Sequence, residues 1–295
     1  DTSSLNPGNY SIQATLIQLT DELKVYKSFK VPFYVSYPIY VSWSLDWEGW
    51  GVAQYELNDI VDISSKYKMP LTHFFNPRIY IEEQTSTHTV DQNAANYFTN
   101  WVLDRKNKGD EIGLHLHFYP DLLREIGIEP RTDAALIGIS RDETYIQAYS
   151  EEELEQIFEW SLDKFREKGL GTPISFRSGA WMSSPEVLEV LSQSGFLIDS
   201  SGRTGGLLNP AWNGSTKIPW NLSPTTNPYM PSVADMNSWE GERIDIWEFP
   251  NNGADSYWFS AEDLKTRFDM NYPIKGEFLD RPKVCLLYTS PSPRD

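Results

Sequence analysis

Glu111-Ile112-Gly113-Leu114-His115-Leu116-His117 holds two of the chain's four histidines, two residues apart, at the end of an apolar alternating run. A strand repeats its side-chain direction every second residue, so a strand here sends both imidazoles out of one face. Two imidazoles converging on one point hold a borderline-soft divalent metal such as zinc. A third ligand is needed, and Ser44-Leu45-Asp46-Trp47-Glu48 offers one. That stretch ends another strand-like run, and its two carboxylates again have i, i+2 spacing. Together the two stretches predict a metal at the mouth of a parallel sheet, with one acid left over for proton transfer.

Outward from these stretches the pattern alternates strand and helix. Strands are predicted over 39–45, 70–75, 111–117, 173–177, 196–200 and 243–249, with a seventh beginning at 282–284. Helical spacing covers 52–68, 94–106, 184–194 and 261–268. Ser150 caps a further helix running to about Lys168, with Glu153 three residues on completing a capping box. Residues 118–149 break the rhythm and read as an insertion, and 201–240 form a long loop region rich in Gly, Pro, Asn and Ser. Repeated β-α units imply parallel strands with helices outside. An α/β fold follows, best described as a distorted, incomplete (β/α)7 barrel, because the charged candidates fall at the carboxyl ends of strands, where sites in such folds lie. An open doubly wound sheet is the alternative.

The two ends stand apart from residues 38–284. Gly8 to Leu16 and Val25 to Val35 alternate around a polar turn and predict an N-terminal β-hairpin. Within residues 1–37 it resembles the last two strands of an immunoglobulin-like or fibronectin-like sandwich; a hairpin belonging to the main domain is the other reading. Residues 285–295, Cys285-Leu286-Leu287-Tyr288-Thr289-Ser290-Pro291-Ser292-Pro293-Arg294-Asp295, resemble a translated sequencing adapter and are expected to be a non-native tail. The only cysteine, Cys285, lies in it. Thiol catalysis, disulfides and a cysteine zinc site are therefore excluded for residues 1–284. The chain opens at Asp1, so the lack of a visible signal peptide carries no information.

Bulk composition narrows the partners. A net charge of −17 repels nucleic-acid phosphates and anionic membranes. No apolar run approaches the length of a membrane span. Eleven Trp and 16 Tyr supply core, and equally suit a sugar-binding surface.

The strand ends resemble the polysaccharide deacetylase family of carbohydrate esterases over roughly residues 38–284. The family's first motif, two adjacent aspartates, corresponds to Asp46-Trp47-Glu48, with one residue between the acids. Its second, two histidines four apart after a Glu-Ile-Gly-like lead, corresponds to Glu111-Ile112-Gly113 and His115; Tyr119 holds the second histidine's place and His117 stands in as ligand. Its third, an arginine before a short Gly or Pro turn, corresponds to Phe176-Arg177-Ser178-Gly179-Ala180-Trp181. Gly195-Phe196-Leu197-Ile198-Asp199-Ser200-Ser201 resembles another recurrent segment. The histidine that ends the family pattern would lie beyond Val284.

The resemblance implies a distorted (β/α)7 barrel with one divalent metal, zinc in the usual case. It implies Glu48, His115 and His117 as ligands, Asp46 as general base and Arg177 as the cation that orients it; exchanging the roles of Asp46 and Glu48 is the open alternative. It implies hydrolysis of acetyl groups from an N- or O-acetylated polysaccharide at an extracellular, cell-surface or periplasmic location. Tyr119, Trp181, Trp247 and Glu248 are candidate substrate contacts, Trp258 could join a sugar groove, and Trp47 could shield the metal. Ordinary packing competes for each aromatic side chain, and a structural role for Asp199. His73 and His88 stay unassigned. Two rival functions remain: a non-catalytic glycan-binding module on the same scaffold, and a glycosidase using Asp46 and Glu48 as its carboxylate pair.

Overall fold

The computed structural model describes residues 5–6, 8–18, 24–35, 39–85, 89–132, 143–203, 218–223, 226–251, 254–255, 262 and 283–289. Strands β1 (Gly8–Gln18) and β2 (Lys24–Val35) form the expected antiparallel hairpin. Ile12 lies opposite Val31 and Ala14 opposite Phe29, so one face is apolar. The other carries hydrogen bonds among Gln13, Thr15 and Ser28. Ile12, Leu16, Phe29 and Val31 are all more than half exposed.

The main sheet contains β3 (Ile39–Trp47), β4 (Thr72–Phe75), β5 (Glu111–Leu116), β6 (Ser175–Ser178), β7 (Ile198–Asp199), β8 (Trp247–Glu248), β9 (Ala254–Asp255) and β10 (Lys283–Thr289). Its order is β8-β7-β6-β5-β4-β3-β10-β9, and every described pairing is parallel. Helices α1 (Gln54–Tyr67), α2 (Gln92–Asn107), α3 (Pro120–Ile126), α4 (Glu151–Glu167) and α5 (Pro185–Gln193) lie between strands in the chain. The sheet is strongly curled. Arg177 on β6 bonds Asp46 on β3 at 2.7 Å, although three strand spacings separate them. On a flat sheet those spacings would total about 14 Å, beyond the reach of an arginine. The described β8 and β9 are not paired with each other, so the described strands form an incomplete (β/α) barrel.

Alternation builds the two layers. Leu45, Leu114 and Phe176 face outward into the apolar layer, where Phe158 and Phe196 pack edge-on against Phe176. Ser44, Asp46, His115 and Arg177 face inward. The predicted capping box forms: the Ser150 hydroxyl accepts from the Glu153 amide, and the Glu153 carboxylate accepts from the Ser150 amide. The stretch 118–149 is not wholly irregular, since it contains α3 and a bridge from Phe118 to Thr144. β10 lies beside β3; its Lys283 and Val284 belong to the strand expected from 282, and its Cys285 to Thr289 come from the stretch expected to be a non-native tail. His88, Trp258 and most of the 261–268 helix lie outside the described residues.

Candidate metal centre

The end of β3 explains why the two acids are separated by one residue. Asp46 and Glu48 share the inner face, and both are buried. Trp47 points the other way, edge-on to Phe98 and Trp101 at centroid distances of 4.8 and 5.5 Å. Its indole N–H donates to His73 Nδ1 at 3.1 Å. The other ring nitrogen therefore carries the proton and donates to Asp110 Oδ2 at 2.9 Å. Asp110 also accepts from Arg105 Nε at 2.6 Å and from the Leu71 amide at 3.1 Å. Burial holds the His73 pKa below the ordinary histidine value, outweighing its bond to Asp110. His73 is thus a satisfied core imidazole that fixes Trp47, and Trp47 braces the strand instead of shielding a metal.

His115 and His117 leave the inner face of β5 as the spacing predicts, with ring centroids 4.8 Å apart. His115 Nδ1 donates to the Arg177 carbonyl at 2.8 Å. His117 Nδ1 lies 2.5 Å from Glu143 Oε2. Their Nε2 atoms face the acids, 3.9 Å from Asp46 Oδ2 and 3.8 Å from Glu48 Oε1. Donor atoms of Glu48, His115 and His117 all lie within 4.8 Å of one another. Ligands around a tetrahedral zinc sit about 3.3 Å apart, so a small contraction closes this set on an ion. Two imidazoles and a carboxylate, buried and oriented through their outer nitrogens, are a donor set that fits a divalent metal.

Two glycines allow this crowding. A Cβ on Gly113 would come within 2.5 Å of Ser175 Oγ and 2.8 Å of the Phe74 ring. A Cβ on Gly179 would come within 2.7 Å of His117 Cγ and 2.8 Å of the Leu116 carbonyl oxygen. The turn that follows is strained, with Ala180 at φ 57° and Trp181 at φ 55°.

Arg177 gathers the inner face. It donates through Nη1 to Asp46 at 2.7 Å and to Ser44 Oγ at 2.8 Å, and through Nε to the Ser200 carbonyl at 2.9 Å. Its guanidinium lies 4.2 Å from the Phe74 ring centroid. Burial pushes the Asp46 carboxyl up to about 7, against the opposing charge of Arg177.

The expected substrate contacts fall in four different settings. Tyr119 is fully buried, its ring between the His117 imidazole and the Arg78 guanidinium, and its hydroxyl accepts from Trp50 Nε1 at 2.8 Å. Arg78 in turn grips Asp121 through two hydrogen bonds and the Gly49 carbonyl through a third. Trp181 is buried under the Arg203 guanidinium, 3.9 Å from its ring centroid. Glu248 pairs in register with Asp199, which pairs with the outward-facing Phe176, so both acids lie on the outer face of the sheet. Glu248 accepts from the Gly202 amide at 2.9 Å and is sealed there. Burial, and then the charge of Asp199, raise its pKa; burial also raises that of Asp199. Trp247 shares the inner face with Ile198 and is 47% exposed.

Glu143 is the residue that the spacing arguments do not reach. It lies in the stretch read as an insertion, and nothing in its local sequence marks it.

No protein-family model matches the chain, and no curated protein matches it. Solved structures do. One assigned as a polysaccharide deacetylase, from Mycobacterium smegmatis, is 12% identical over 87% of this chain and 79% of its own length, with a TM-score of 0.47. A family 4 carbohydrate esterase from Streptomyces lividans, solved with acetate, is 11% identical over 55% of this chain and 61% of its own length, with a TM-score of 0.35. A 4-alpha-glucanotransferase from Thermococcus litoralis is 12% identical over 86% of this chain and 33% of its own length, with a TM-score of 0.45. Deacetylases of polysaccharide or peptidoglycan recur among the matching structures.

Proposed function

We propose that this chain is a divergent member of the polysaccharide deacetylase family and removes acetyl groups from an acetylated polysaccharide with a divalent metal. The observation that carries the reading is the convergence of Glu48, His115 and His117 beside an acid that is not part of their cluster. When bound, such a metal lowers the pKa of a coordinated water and polarises the acetyl carbonyl.

This chain's residues supply the rest. Glu48, His115 and His117 hold the ion, zinc by donor type. Asp46 takes the proton of the attacking water and returns it to the nitrogen or oxygen that leaves as the acetyl C–N or C–O bond breaks. Arg177 fixes the orientation of that carboxylate through Nη1, which supports Asp46 as base and Glu48 as ligand. Burial of every donor excludes competing water from the centre. Trp247, exposed on the inner face, is the best placed of the expected sugar contacts. An acetylated polysaccharide as substrate fits an extracellular, cell-surface or periplasmic location. Among the described residues no helix is long and apolar enough to cross a membrane.

The test is acetate release from acetylated chitooligosaccharide, peptidoglycan and xylan fragments, before chelation, after chelation and after zinc add-back. Release that disappears with chelator, returns with zinc and is abolished in Asp46→Ala is expected. Glycan binding that survives both treatments, with no release on any substrate, would establish the binding-module reading instead.

A further inference from the structure

Glu143 is buried and lies next to the proposed ligands, yet no role above uses it. The residue after it, Thr144, is clamped to Phe118, the residue that follows His117. The Thr144 amide donates to the Phe118 carbonyl at 3.0 Å, and the Thr144 hydroxyl donates to the same oxygen at 3.1 Å. This clamp brings Glu143 Oε2 to 2.5 Å from His117 Nδ1. A carboxylate there accepts only, so Nδ1 carries the proton and the Nε2 lone pair faces Glu48. His115 is held differently, by the neutral carbonyl of Arg177.

Charge supports an assignment. Asp46 is balanced by Arg177. A divalent ion held by Glu48 and two neutral imidazoles leaves one positive charge in a buried site, and a buried charge must be compensated. Glu143 is the acid bonded to this set.

We propose that Glu143 is a positioning residue for the metal centre: it fixes the tautomer and ring orientation of His117 and neutralises the loaded site. The inference rests on the metal-centre reading and goes beyond it in assigning Glu143. Outer-shell partners of this kind typically account for 10–100-fold in metal affinity.

The test uses the full chain with Zn2+, by chelator competition, and with Co2+, by its visible absorption. Parent, Glu143→Gln, Glu143→Ala, His117→Ala and the Glu143→Ala/His117→Ala pair are compared. Zinc affinity should fall about 10–100-fold in E143A, with an altered cobalt spectrum. In the H117A background the same change should cost clearly less, because the part that passes through His117 is already gone and only the charge of Glu143 is left to lose. E143Q keeps the volume and loses the charge, so it decides the matter if E143A does not fold: weaker zinc binding is expected. A parent that binds both metals beside an E143Q that binds them equally well with the same spectrum overturns this inference alone. A parent that binds neither metal overturns the metal-centre reading and this inference with it.

Discussion

Asp46, Glu48, His115 and His117 were legible because strand parity is local: i, i+2 spacing sends two side chains out of one face whatever the rest of the fold does. Arg177 was legible only through the family resemblance. Glu248 shows the limit of that argument. Its place at a strand end was readable, but the face it takes is set by register with β7, which the sequence does not print. Glu143 depends on a tertiary clamp and left no local signal. Two predictions belong at this scale. Gly179→Ala should push the His117 ring, costing about 1–3 kcal/mol by overpacking and weakening zinc uptake; urea titration and chelator competition check it, and unchanged values for both would remove the close approach from the account. The second concerns pH. The Asp199 and Glu248 carboxyls are raised, so above the ordinary carboxylate range, near about pH 4, the native state binds more protons than the unfolded chain. Stability attributable to the pair therefore falls as pH climbs from there toward the raised native values. Glu248→Gln should gain melting temperature relative to the parent between pH 5 and 8, and parallel curves would refute the shared burial of the two acids.

At the scale of elements, the helical stretches and the capping box were readable from period and end signals. The seven-residue α3 was not, because about two turns are too short to show a period and its N-cap residue, Tyr119, makes no side-chain cap bond. The register of β3 rests on a chain of buried bonds from Trp47 through His73 to Asp110 and Arg105. His73→Ala should strip partners from a buried indole N–H and a buried carboxylate, costing about 1–3 kcal/mol for each group left unpaired. It should also loosen Asp46 and Glu48 without touching either, so zinc affinity should drop along with the denaturant midpoint. A loss of stability with full zinc affinity would show that the brace does not reach the acids.

For the molecule as a whole, repeated β-α units pointed to a barrel, and the described sheet is curled but not closed. Closure was not legible: it depends on contacts between the first and last strands, which no local pattern encodes. The exposed apolar face of the β1–β2 hairpin is likewise a whole-molecule property, fixed by what packs on it rather than by the hairpin's own alternation. Curvature is what lets β3, β5 and β6, which are not all neighbours, aim at one point, so the central claim is about convergence. It is tested most directly by metal analysis and X-ray absorption on the full chain supplied with Zn2+. The account predicts one tightly held ion per chain with two imidazole nitrogens and carboxylate oxygen in its shell, lost in the His115→Ala/His117→Ala variant. A parent that holds no ion, or a double variant that holds it unchanged, would contradict it.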